Sequence, residues 1–479
     1  MNYLHWIFIA VYVLLAAGTM ITILMDNRQP AKAIAWILVL TFLPIVGIVL
    51  YFFFGQNTRK EKYISQQSLD QLAKRSILEF AGQKDLQLPE EHRTLIQQFI
   101  NENWALPFKD NDVDVYTSGH EFFLALLRAI GRAESHIHLT TYIIDDDALG
   151  RLISDALIDR ARRGVEVRVI YDDVGCWRVK SEFFERMRRE GIEVRAFLPV
   201  HFAAFTSKIN YRNHRKLCVI DGREGFIGGM NIAMRYTTWR DTHLHVTGSV
   251  VYALQHAFLV DWYFVDRTLI SGKKYYPADI EQGDARAQRM PVAAASPCLA
   301  QVVTSSPISE WPTIMQGYVR ILLEARSYVY IETPYFLPTE PILNAMRTAA
   351  LAGVDVRLMV PMKADSRLVQ WASRSYLMEV VESGVKIFYY TAGFNHTKLL
   401  VADDTLSTCG STNVDFRSFE NNFEANIFFY DRDVALRMKQ VFLDDLQHCT
   451  AADGLTETAR RPFHLRLWES LVRLLAPLL

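Results

Sequence analysis

The architecture of this 479-residue chain is decided by two stretches, NHRKLCVIDGREGFIGGMN at residues 213–231 and NHTKLLVADDTLSTCGSTN at residues 395–413. Both contain the pattern His-x-Lys-x4-Asp. In both, a glycine stands seven residues after the aspartate and an asparagine three residues later. This spacing is rare by chance, so its recurrence in matched surroundings indicates an internal duplication.

The sequence around the two stretches is duplicated as well. GVEVRVI at 164–170 corresponds to GVDVRLM at 353–359, and EGIEVRAF at 190–197 corresponds to SGVKIFYY at 383–390. In both copies, strand-like apolar runs alternate with helical stretches, which favours a parallel or mixed sheet covered by helices. We therefore predict an α/β fold of two similar halves, each a mixed sheet flanked by helices, packed around one active site.

The repeated motif places its reactive groups at the start of a strand. The apolar runs LCVI and LLVA follow the two lysines and predict buried strands. Residues two apart in a strand point the same way, so each histidine shares a face with its lysine. Each aspartate falls at the other end of the strand. It is seven residues from its histidine, an odd number, so it belongs to the opposite face of the strand. We interpret it as an orienting or ion-pairing residue rather than a reactant.

Together the two motifs would form a dense cluster of hydrogen-bond donors around one small anion. A metal site is the main competing interpretation, but a lysine two residues from each histidine disfavours a divalent cation. We therefore expect a metal-free phosphate site. The candidate catalytic residues are His214, Lys216, Asp221, His396, Lys398 and Asp403, and the candidate phosphate-binding residues are Asn231 and Asn413.

The N-terminal region differs sharply from the rest of the chain. Residues 1–55 contain only three Asp, Glu, Lys or Arg side chains, and 6–25 and 33–55 are uncharged runs of 20 and 23 residues. Such runs predict a transmembrane helical hairpin, kinked at Pro44. A cleaved signal peptide is the alternative, disfavoured because no basic segment precedes the first run. Basic residues at 59, 60 and 62 place the catalytic body in the cytoplasm.

Charge and cysteine content exclude other classes. The 52 basic and 53 acidic side chains nearly cancel, which argues against a protein that binds nucleic acid by bulk attraction. Five widely spaced cysteines without a Cys-x-x-Cys pair argue against a disulfide framework or a zinc site.

The predicted domains follow from these features. The C-terminal tail carries leucines broadly on one helical face, so it either lies on lipid headgroups or packs on the body. The predicted units are a membrane anchor with two transmembrane helices (1–56), a helical stalk or lid (57–110), the first half (111–270), a connector (271–305), the second half (306–450) and an amphipathic tail (451–479).

The duplicated strings resemble the HKD motifs of the phospholipase D superfamily. The pattern PxxGxxxYxxxG from Pro44 to Gly55, WRDTHL at 239–244 and NVDFRSFENNFE at 413–424 are similar to bacterial cardiolipin synthases, over essentially the whole chain. The resemblance implies an enzyme of the bacterial cytoplasmic (inner) membrane whose partners are phosphatidylglycerol and cardiolipin, not nucleic acid. An oligomer is possible but not indicated.

The resemblance also implies a reaction. One imidazole attacks a first phosphatidylglycerol and forms a phosphatidyl-histidine, and a second phosphatidylglycerol then displaces it, giving cardiolipin and glycerol without a cofactor. By analogy His214 is the nucleophile and His396 the acid and base, although the sequence leaves this order open. Asp241 and Glu424, 27 and 28 residues after the histidines, correspond to carboxylates that orient the imidazoles.

Several alternatives to this function stay open. Within the superfamily they are a membrane-bound phospholipase D that hydrolyses lipids and a synthase that uses another phosphatidyl donor such as phosphatidylethanolamine. A nuclease and a non-enzymatic scaffold fit less well, because the charge is near neutral and both motifs are intact.

Overall fold

A computed structural model describes residues 3–26, 30–51, 55, 82, 86–199, 211–277, 298–452 and 462–477. Most of the predicted stalk, the middle of the predicted connector, the basic residues at 59, 60 and 62 and the start of the predicted tail lie outside these ranges.

Helices and strands alternate through most of the described chain. The α-helices are α1 (Tyr3–Asp26), α2 (Pro30–Phe42), α3 (Pro44–Leu50), α4 (Arg93–Asn103), α5 (Gly119–Arg132), α6 (Ala148–Arg162), α7 (Ser181–Arg189), α8 (Val251–Asp266), α9 (Thr313–Glu324), α10 (Glu340–Leu351), α11 (Arg367–Val381), α12 (Phe416–Glu420), α13 (Arg432–Leu446) and α14 (Phe463–Arg473). Short 3-10 helices span Glu90–His92, Met234–Thr237 and Lys273–Tyr275.

The strands fall into two series that match the duplication. They are β1 (Pro107–Ser118), β2 (His136–Thr141), β3 (Glu166–Asp172), β4 (Glu193–Phe197), β5 (Arg212–Asn213), β6 (Leu217–Ile220), β7 (Glu224–Gly228), β8 (Arg240–Thr247), β9 (Cys298–Ser305), β10 (Tyr328–Glu332), β11 (Phe336–Leu337), β12 (Asp355–Pro361), β13 (Lys386–Tyr390), β14 (Leu399–Ala402), β15 (Leu406–Gly410), β16 (Val414–Asp415), β17 (Asn422–Phe429) and β18 (Cys449–Ala451).

The two series form one continuous sheet, in which corresponding strands of the two halves follow in reverse order. The first half runs β4-β3-β2-β6-β7-β8-β1, and the second runs β9-β17-β15-β14-β10-β12-β13 with β18 at its edge. In each half the outer three strands are parallel and the inner ones antiparallel. Antiparallel pairing of β1 with β9 joins the halves. The predicted fold of two mixed α/β halves is confirmed.

Local sequence explains the repeated helix-to-strand turns. In the first half α6 ends before Gly164, and in the second α10 ends before Gly353. These glycines have φ of 89° and 95°, a left-handed conformation that costs a residue with a Cβ and that commonly ends helices. The strands that follow, β3 and β12, are almost entirely buried, as expected for parallel strands covered on both faces.

A shared core holds the halves together. Val219 and Leu244 of the first half belong to the same buried cluster as Leu399 and Ile427 of the second, whereas each half also has a cluster of its own. Burying a large apolar side chain contributes about 1.5–3 kcal/mol. The interface between the halves is therefore a hydrophobic core and not a polar contact between separate domains.

Two predicted boundaries are wrong. Residues 298–305, assigned to the connector, form the buried strand β9 beside β1, and 107–110, assigned to the stalk, begin β1. Helix α4 was also assigned to the stalk, yet its Leu95, Ile96 and Phe99 are buried in the core of the second half. Part of the predicted stalk or lid is thus built into the body.

The N-terminal residues form three helices that contact one another. The predicted kink falls at Leu43–Pro44, where α2 gives way to α3. Within the ranges given above, no helix combines the length and apolarity that crossing a membrane requires.

Candidate active site

Both motifs are attached to the opposite half of the molecule. His214 follows β5, which pairs in parallel with the start of β17, and its N–H donates to the carbonyl of Phe423 (2.9 Å). The N–H of His396 donates to the carbonyl of Arg240 (2.7 Å), at the start of β8. The hydrogen bonds of each histidine backbone therefore fix it against a strand of the other half.

The imidazoles are held by crossed carboxylates. His214 Nδ1 lies 3.0 and 3.2 Å from the two carboxylate oxygens of Glu424, and His396 Nδ1 lies 2.6 Å from Asp241 Oδ2. Each carboxylate comes from the half that does not contain its histidine. Because Nδ1 donates to a carboxylate, Nε2 of each ring is left to act as a nucleophile or base. The structure thus brings both predicted orienting residues to the imidazoles.

The two lysines lie beside their histidines and are buried. Lys216 Nζ donates to the carbonyl of His214 (2.6 Å) and faces the ring of Tyr142. Lys398 Nζ donates to the carbonyl of His396 and lies 3.0 Å from its Nδ1. Burial lowers the pKa of Lys216 well below its usual range and lowers the pKa of Lys398 to about 8. A buried ammonium in such a place attracts an anion strongly.

Burial also sets the charge of the imidazoles. It lowers the pKa of His214 from its ordinary value, although Glu424 opposes the shift. Burial and then the neighbouring Lys398 lower the pKa of His396 to about 3, against the opposing effect of Asp241. Both imidazoles are therefore neutral at pH 7 while the site holds no further anion.

The carboxylates remain charged despite burial. Burial alone would raise the pKa of Glu424, but His214 and Lys216 outweigh it and the pKa lies below its ordinary value. For Asp241, burial likewise acts to raise the pKa, and Lys398 and His396 reverse the shift. The two carboxylates thus lie beside the two lysine amino groups in one buried cluster.

Aromatic side chains surround His396. The rings of Trp239, Tyr236, Phe394 and Tyr335 have centroids 5.5, 5.8, 5.9 and 6.5 Å from that of the imidazole. Such a wall excludes water from the atoms that react. We call these four rings the aromatic wall. Only Trp239 lies in a motif singled out from the sequence, and Tyr335 could have been found because it follows the end of β10.

The other imidazole has a different neighbourhood. The ring of Tyr142, which directly follows β2, packs edge-on against His214 with centroids 5.0 Å apart. Arg215 pairs with the buried Asp261 and donates to the carbonyl of Glu424 (3.0 Å), and so holds the strand that carries this carboxylate. Neither this arginine nor Arg240, beside Asp241, is predicted from the sequence to act at the site.

The two asparagines are occupied by protein groups. Asn231 accepts from the N–H of Ile143 (3.1 Å) and donates to the hydroxyl of Tyr236 (2.7 Å). Asn413 donates to Asp415 (3.0 Å). Both are buried close to the motifs, but these contacts order loops of the site and leave at most the second N–H of each amide for a phosphate.

The predicted role of the motif aspartates needs correction. Asp221 lies at the far end of β6 and accepts hydrogen bonds from the N–H groups of residues 134, 135 and 136 (2.7–2.9 Å). Asp403 accepts in the same way from the N–H groups of 326, 327 and 328 (2.7–2.9 Å). They bind the backbone where β2 and β10 begin, and among the residues that the structure describes neither orients an imidazole nor forms an ion pair. Their contribution is structural.

Within the described residues, no three or more His, Cys, Asp or Glu side chains are arranged to hold a metal ion. The candidate site is a cluster of two imidazoles, two lysine amino groups and two carboxylates. Such a cluster suits covalent catalysis on an anionic phosphodiester.

Both halves of the chain match one known protein family. The family described as "Cardiolipin synthase, PLD-like domain" matches residues 126–262 and 318–446, which together make up more than half of the chain. A family described as "Phospholipase_D-nuclease N-terminal" matches residues 6–56. The first match covers both motifs and both orienting carboxylates.

Curated relatives match nearly end to end. The chain is 38% identical over 469 residues to cardiolipin synthase 2 of Bacillus cereus, covering 95% of this chain and 88% of the relative. It is 36% identical over 477 residues to the major cardiolipin synthase of Bacillus subtilis, covering 96% of each. The solved phosphatidylserine synthase of Haemophilus influenzae has a similar fold, with a TM-score of 0.61, 15% identity, and coverage of 81% of this chain and 100% of that one.

The structural role of the motif aspartates can be tested by Asp221→Ala. The change leaves three backbone N–H groups without their acceptor, so we expect the free energy of unfolding to fall by about 1–3 kcal/mol, measured by denaturant titration. Asp221→Asn should cost less, because asparagine keeps one acceptor oxygen and tolerates the positive φ of 54°. A variant that loses its catalytic rate with an unchanged unfolding midpoint would instead place Asp221 in the active site.

Proposed function

Because the chain belongs to the cardiolipin synthase family of phospholipase D-like proteins, we propose that it transfers a phosphatidyl group between two phosphatidylglycerol molecules, giving cardiolipin and glycerol. The observation that carries this proposal is the pair of crossed imidazole–carboxylate contacts, which unites two reactive histidines in one buried site. A transfer in two steps needs both of them.

In the first step His214 Nε2 attacks the phosphorus of a bound phosphatidylglycerol. The N–P bond forms while the bond from phosphorus to the glycerol oxygen breaks, and His396 gives that oxygen a proton so that glycerol leaves neutral. Glu424 accepts the Nδ1 proton of His214 in a hydrogen bond and stabilises the positive charge that develops on this ring. The product is a phosphatidyl-histidine.

In the second step the roles reverse. His396, now neutral, takes the proton from a glycerol hydroxyl of a second phosphatidylglycerol, and the resulting oxygen nucleophile attacks phosphorus. The new P–O bond forms as the N–P bond to His214 breaks, which releases cardiolipin and restores both rings. Lys216 and Lys398 stabilise the charge on the phosphoryl oxygens in both steps. One phosphodiester replaces another, so no nucleotide is needed.

His396 takes up its proton from solvent when the substrate binds. With a pKa of about 3 the ring is neutral in the free site and could not act as an acid. A phosphodiester carries one negative charge, and placing it beside the ring and Lys398 favours the protonated imidazole. Substrate binding therefore creates the acid that the first step requires, and this explains how a site with buried lysines can still protonate a leaving group.

Water must be excluded for transfer to prevail. Hydrolysis of the phosphatidyl-histidine would give phosphatidic acid, and the aromatic wall shields the side of the site from which His396 would activate water. In a site more open to water, the same reacting groups would catalyse hydrolysis. The choice between transfer and hydrolysis thus rests on access and not on the reacting groups.

The proposed location is the bacterial cytoplasmic membrane, with the catalytic body on the cytoplasmic side. Both substrates are lipids, and helices α1 to α3 expose many large apolar side chains such as Trp6, Leu14 and Phe42. We propose that this N-terminal segment attaches the enzyme to the bilayer as a helical hairpin. The proposed partners are then phosphatidylglycerol and cardiolipin in the same membrane.

The proposed reaction predicts the products of a simple assay. The purified full chain, incubated with phosphatidylglycerol alone in mixed micelles, should form cardiolipin and glycerol in equal amounts, measured by lipid mass spectrometry and glycerol assay. His214→Ala and His396→Ala should each lower turnover at least about 10³-fold, while the exposed His448→Ala stays within about twofold. Phosphatidic acid as the main lipid product would instead identify a hydrolase.

The crossed carboxylates predict the effect of isosteric changes. Glu424→Gln and Asp241→Asn keep the shape of each side chain but remove the charge that stabilises the imidazolium, so we expect kcat to fall by about 10²- to 10⁴-fold. Circular dichroism should show folded proteins. Asp241→Glu should be more active than Asp241→Asn, because it keeps the negative charge on a longer side chain. Wild-type rates in both isosteric variants would refute the orienting role.

The lowered pKa of Lys398 predicts the alkaline limit of the enzyme. The ammonium is charged below pH 8 and loses its proton as the pH rises through about 8, so kcat/KM, which reports the free enzyme, should decline above that pH. Lys398→Arg keeps its charge to higher pH, so the decline of kcat/KM should begin at a higher pH. The rate itself should be somewhat lower. The exposed Lys386→Arg serves as the control and should leave the profile unchanged. An identical alkaline limb in Lys398→Arg would exclude Lys398 as its cause.

A further inference from the structure

Helix α14 and the turn that follows it have two opposite apolar faces, and only one of them packs against other described residues. Val472 of α14 and Ala476 of the following turn are buried against Leu337 and Ala372. Phe463, Leu467, Leu471 and Leu474 follow at spacings of four, four and three residues, so they share the other side of the helix. That side is open, with Phe463 77% and Leu474 74% exposed.

The position of α14 is fixed by its contacts with α11. The rings of Trp371 and Trp468 meet edge to face with centroids 5.9 Å apart, and Arg473 lies over the ring of Tyr376 and pairs with Glu379 (2.7 Å). Successive residues of one helix meet successive residues of the other in the same direction, so the helices run parallel. Their N-terminal ends therefore lie side by side.

These N-terminal ends lie next to the active site. Asp365, two residues before α11, accepts a hydrogen bond from the hydroxyl of Tyr335 (2.7 Å), a member of the aromatic wall around His396. Leu337, two residues further along the same segment, packs with Val472 and Ala476 at the C-terminal end of α14. The segment from Tyr335 to Leu337 thus connects the aromatic wall to α14, and the exposed apolar row starts beside the N-terminal end of α11.

Basic side chains flank the apolar row at this end. Arg367, at the first position of α11, and Arg466 on α14 are both exposed, as is Lys363 just before α11. An amphipathic helix with apolar residues facing outwards and basic residues at its edge is suited to the headgroup layer of an anionic bilayer. A large exposed apolar row on a soluble surface otherwise has no evident purpose.

We propose that Phe463, Leu467, Leu471 and Leu474, with Arg367 and Arg466 beside them, form a surface that docks on an anionic lipid bilayer and turns the His396 side of the active site towards it. We call it the tail surface. The proposal deepens the proposed function, since it defines where lipid substrates enter. It is a second membrane contact, separate from the N-terminal helices.

Photo-crosslinking in the full-length protein tests the contact directly. Leu467→p-benzoylphenylalanine, irradiated with vesicles of phosphatidylglycerol and phosphatidylcholine, should form lipid adducts detected by mass spectrometry, with at least fivefold fewer in pure phosphatidylcholine. The control is Leu436→p-benzoylphenylalanine. Leu436 is exposed on α13, and α13 and α11 cover opposite faces of the second-half sheet, since their buried residues join different core clusters. The Leu436 variant should label lipid at least fivefold less than the Leu467 variant.

An activity measurement tests the consequence for the reaction. Leu467→Glu combined with Leu471→Glu should raise the KM for phosphatidylglycerol in vesicles at least tenfold and leave kcat with a short-chain, monomeric phosphatidylglycerol within about twofold. A wild-type enzyme that makes no cardiolipin would refute the proposed function and leave the labelling result valid.

Three outcomes of the labelling would overturn the proposal. They are the absence of lipid adducts at position 467, equal labelling in vesicles without anionic lipid, and adducts to a second copy of the chain in place of lipid. The last would identify the tail surface as a dimer contact.

Discussion

Each motif imidazole hydrogen-bonds a carboxylate that belongs to the other half of the chain, and the rest of the structure is constrained by this exchange. In either half alone, each imidazole would lack the carboxylate that its Nδ1 hydrogen-bonds, so a complete site requires both halves. The pairing of β1 with β9 and the core shared by Val219, Leu244, Leu399 and Ile427 keep the two carboxylates within reach of their partners.

The duplication gives two equal imidazoles, but the reaction requires unequal ones. Two neighbouring titratable groups divide their roles according to their surroundings. Here the surroundings differ where the two copies differ in sequence: Arg215 of the first motif is replaced by Thr397 in the second, and Arg240, before Asp241, corresponds to Phe423, before Glu424. The aromatic wall likewise belongs to His396 alone. The asymmetry needed for a nucleophile and an acid is thus built into an otherwise symmetric site.

The alternation of strands and helices, the two similar halves and the meeting of the two motifs could be predicted, because a repeated and strongly apolar pattern indicates local structure. Strand β9 was missed because its neighbours in sequence resemble a linker, whereas its identity as a strand comes from pairing with β1 and β17. The aspartates were misassigned for a similar reason. Asp221 and Gly222 both have positive φ, as do Asp403 and Asp404, so each aspartate opens a hairpin turn. The Asp-Gly pair was a turn signal, but the N–H groups it binds are 85 residues away.

The arrangement of membrane contacts follows from the competition between alcohol and water. A phosphatidyl-histidine reacts with whichever hydroxyl His396 can activate, and water is far more abundant than any lipid in a site open to solvent. The aromatic wall reduces access of water, and the segment from Tyr335 to Leu337 links that wall to the helix that carries the tail surface. If this surface rests on the bilayer, the His396 side of the site faces lipid headgroups, and the nearest hydroxyl is then that of another phosphatidylglycerol. The proposed docking would therefore favour transfer over hydrolysis through the position of the site at the membrane, with no change in the reacting groups.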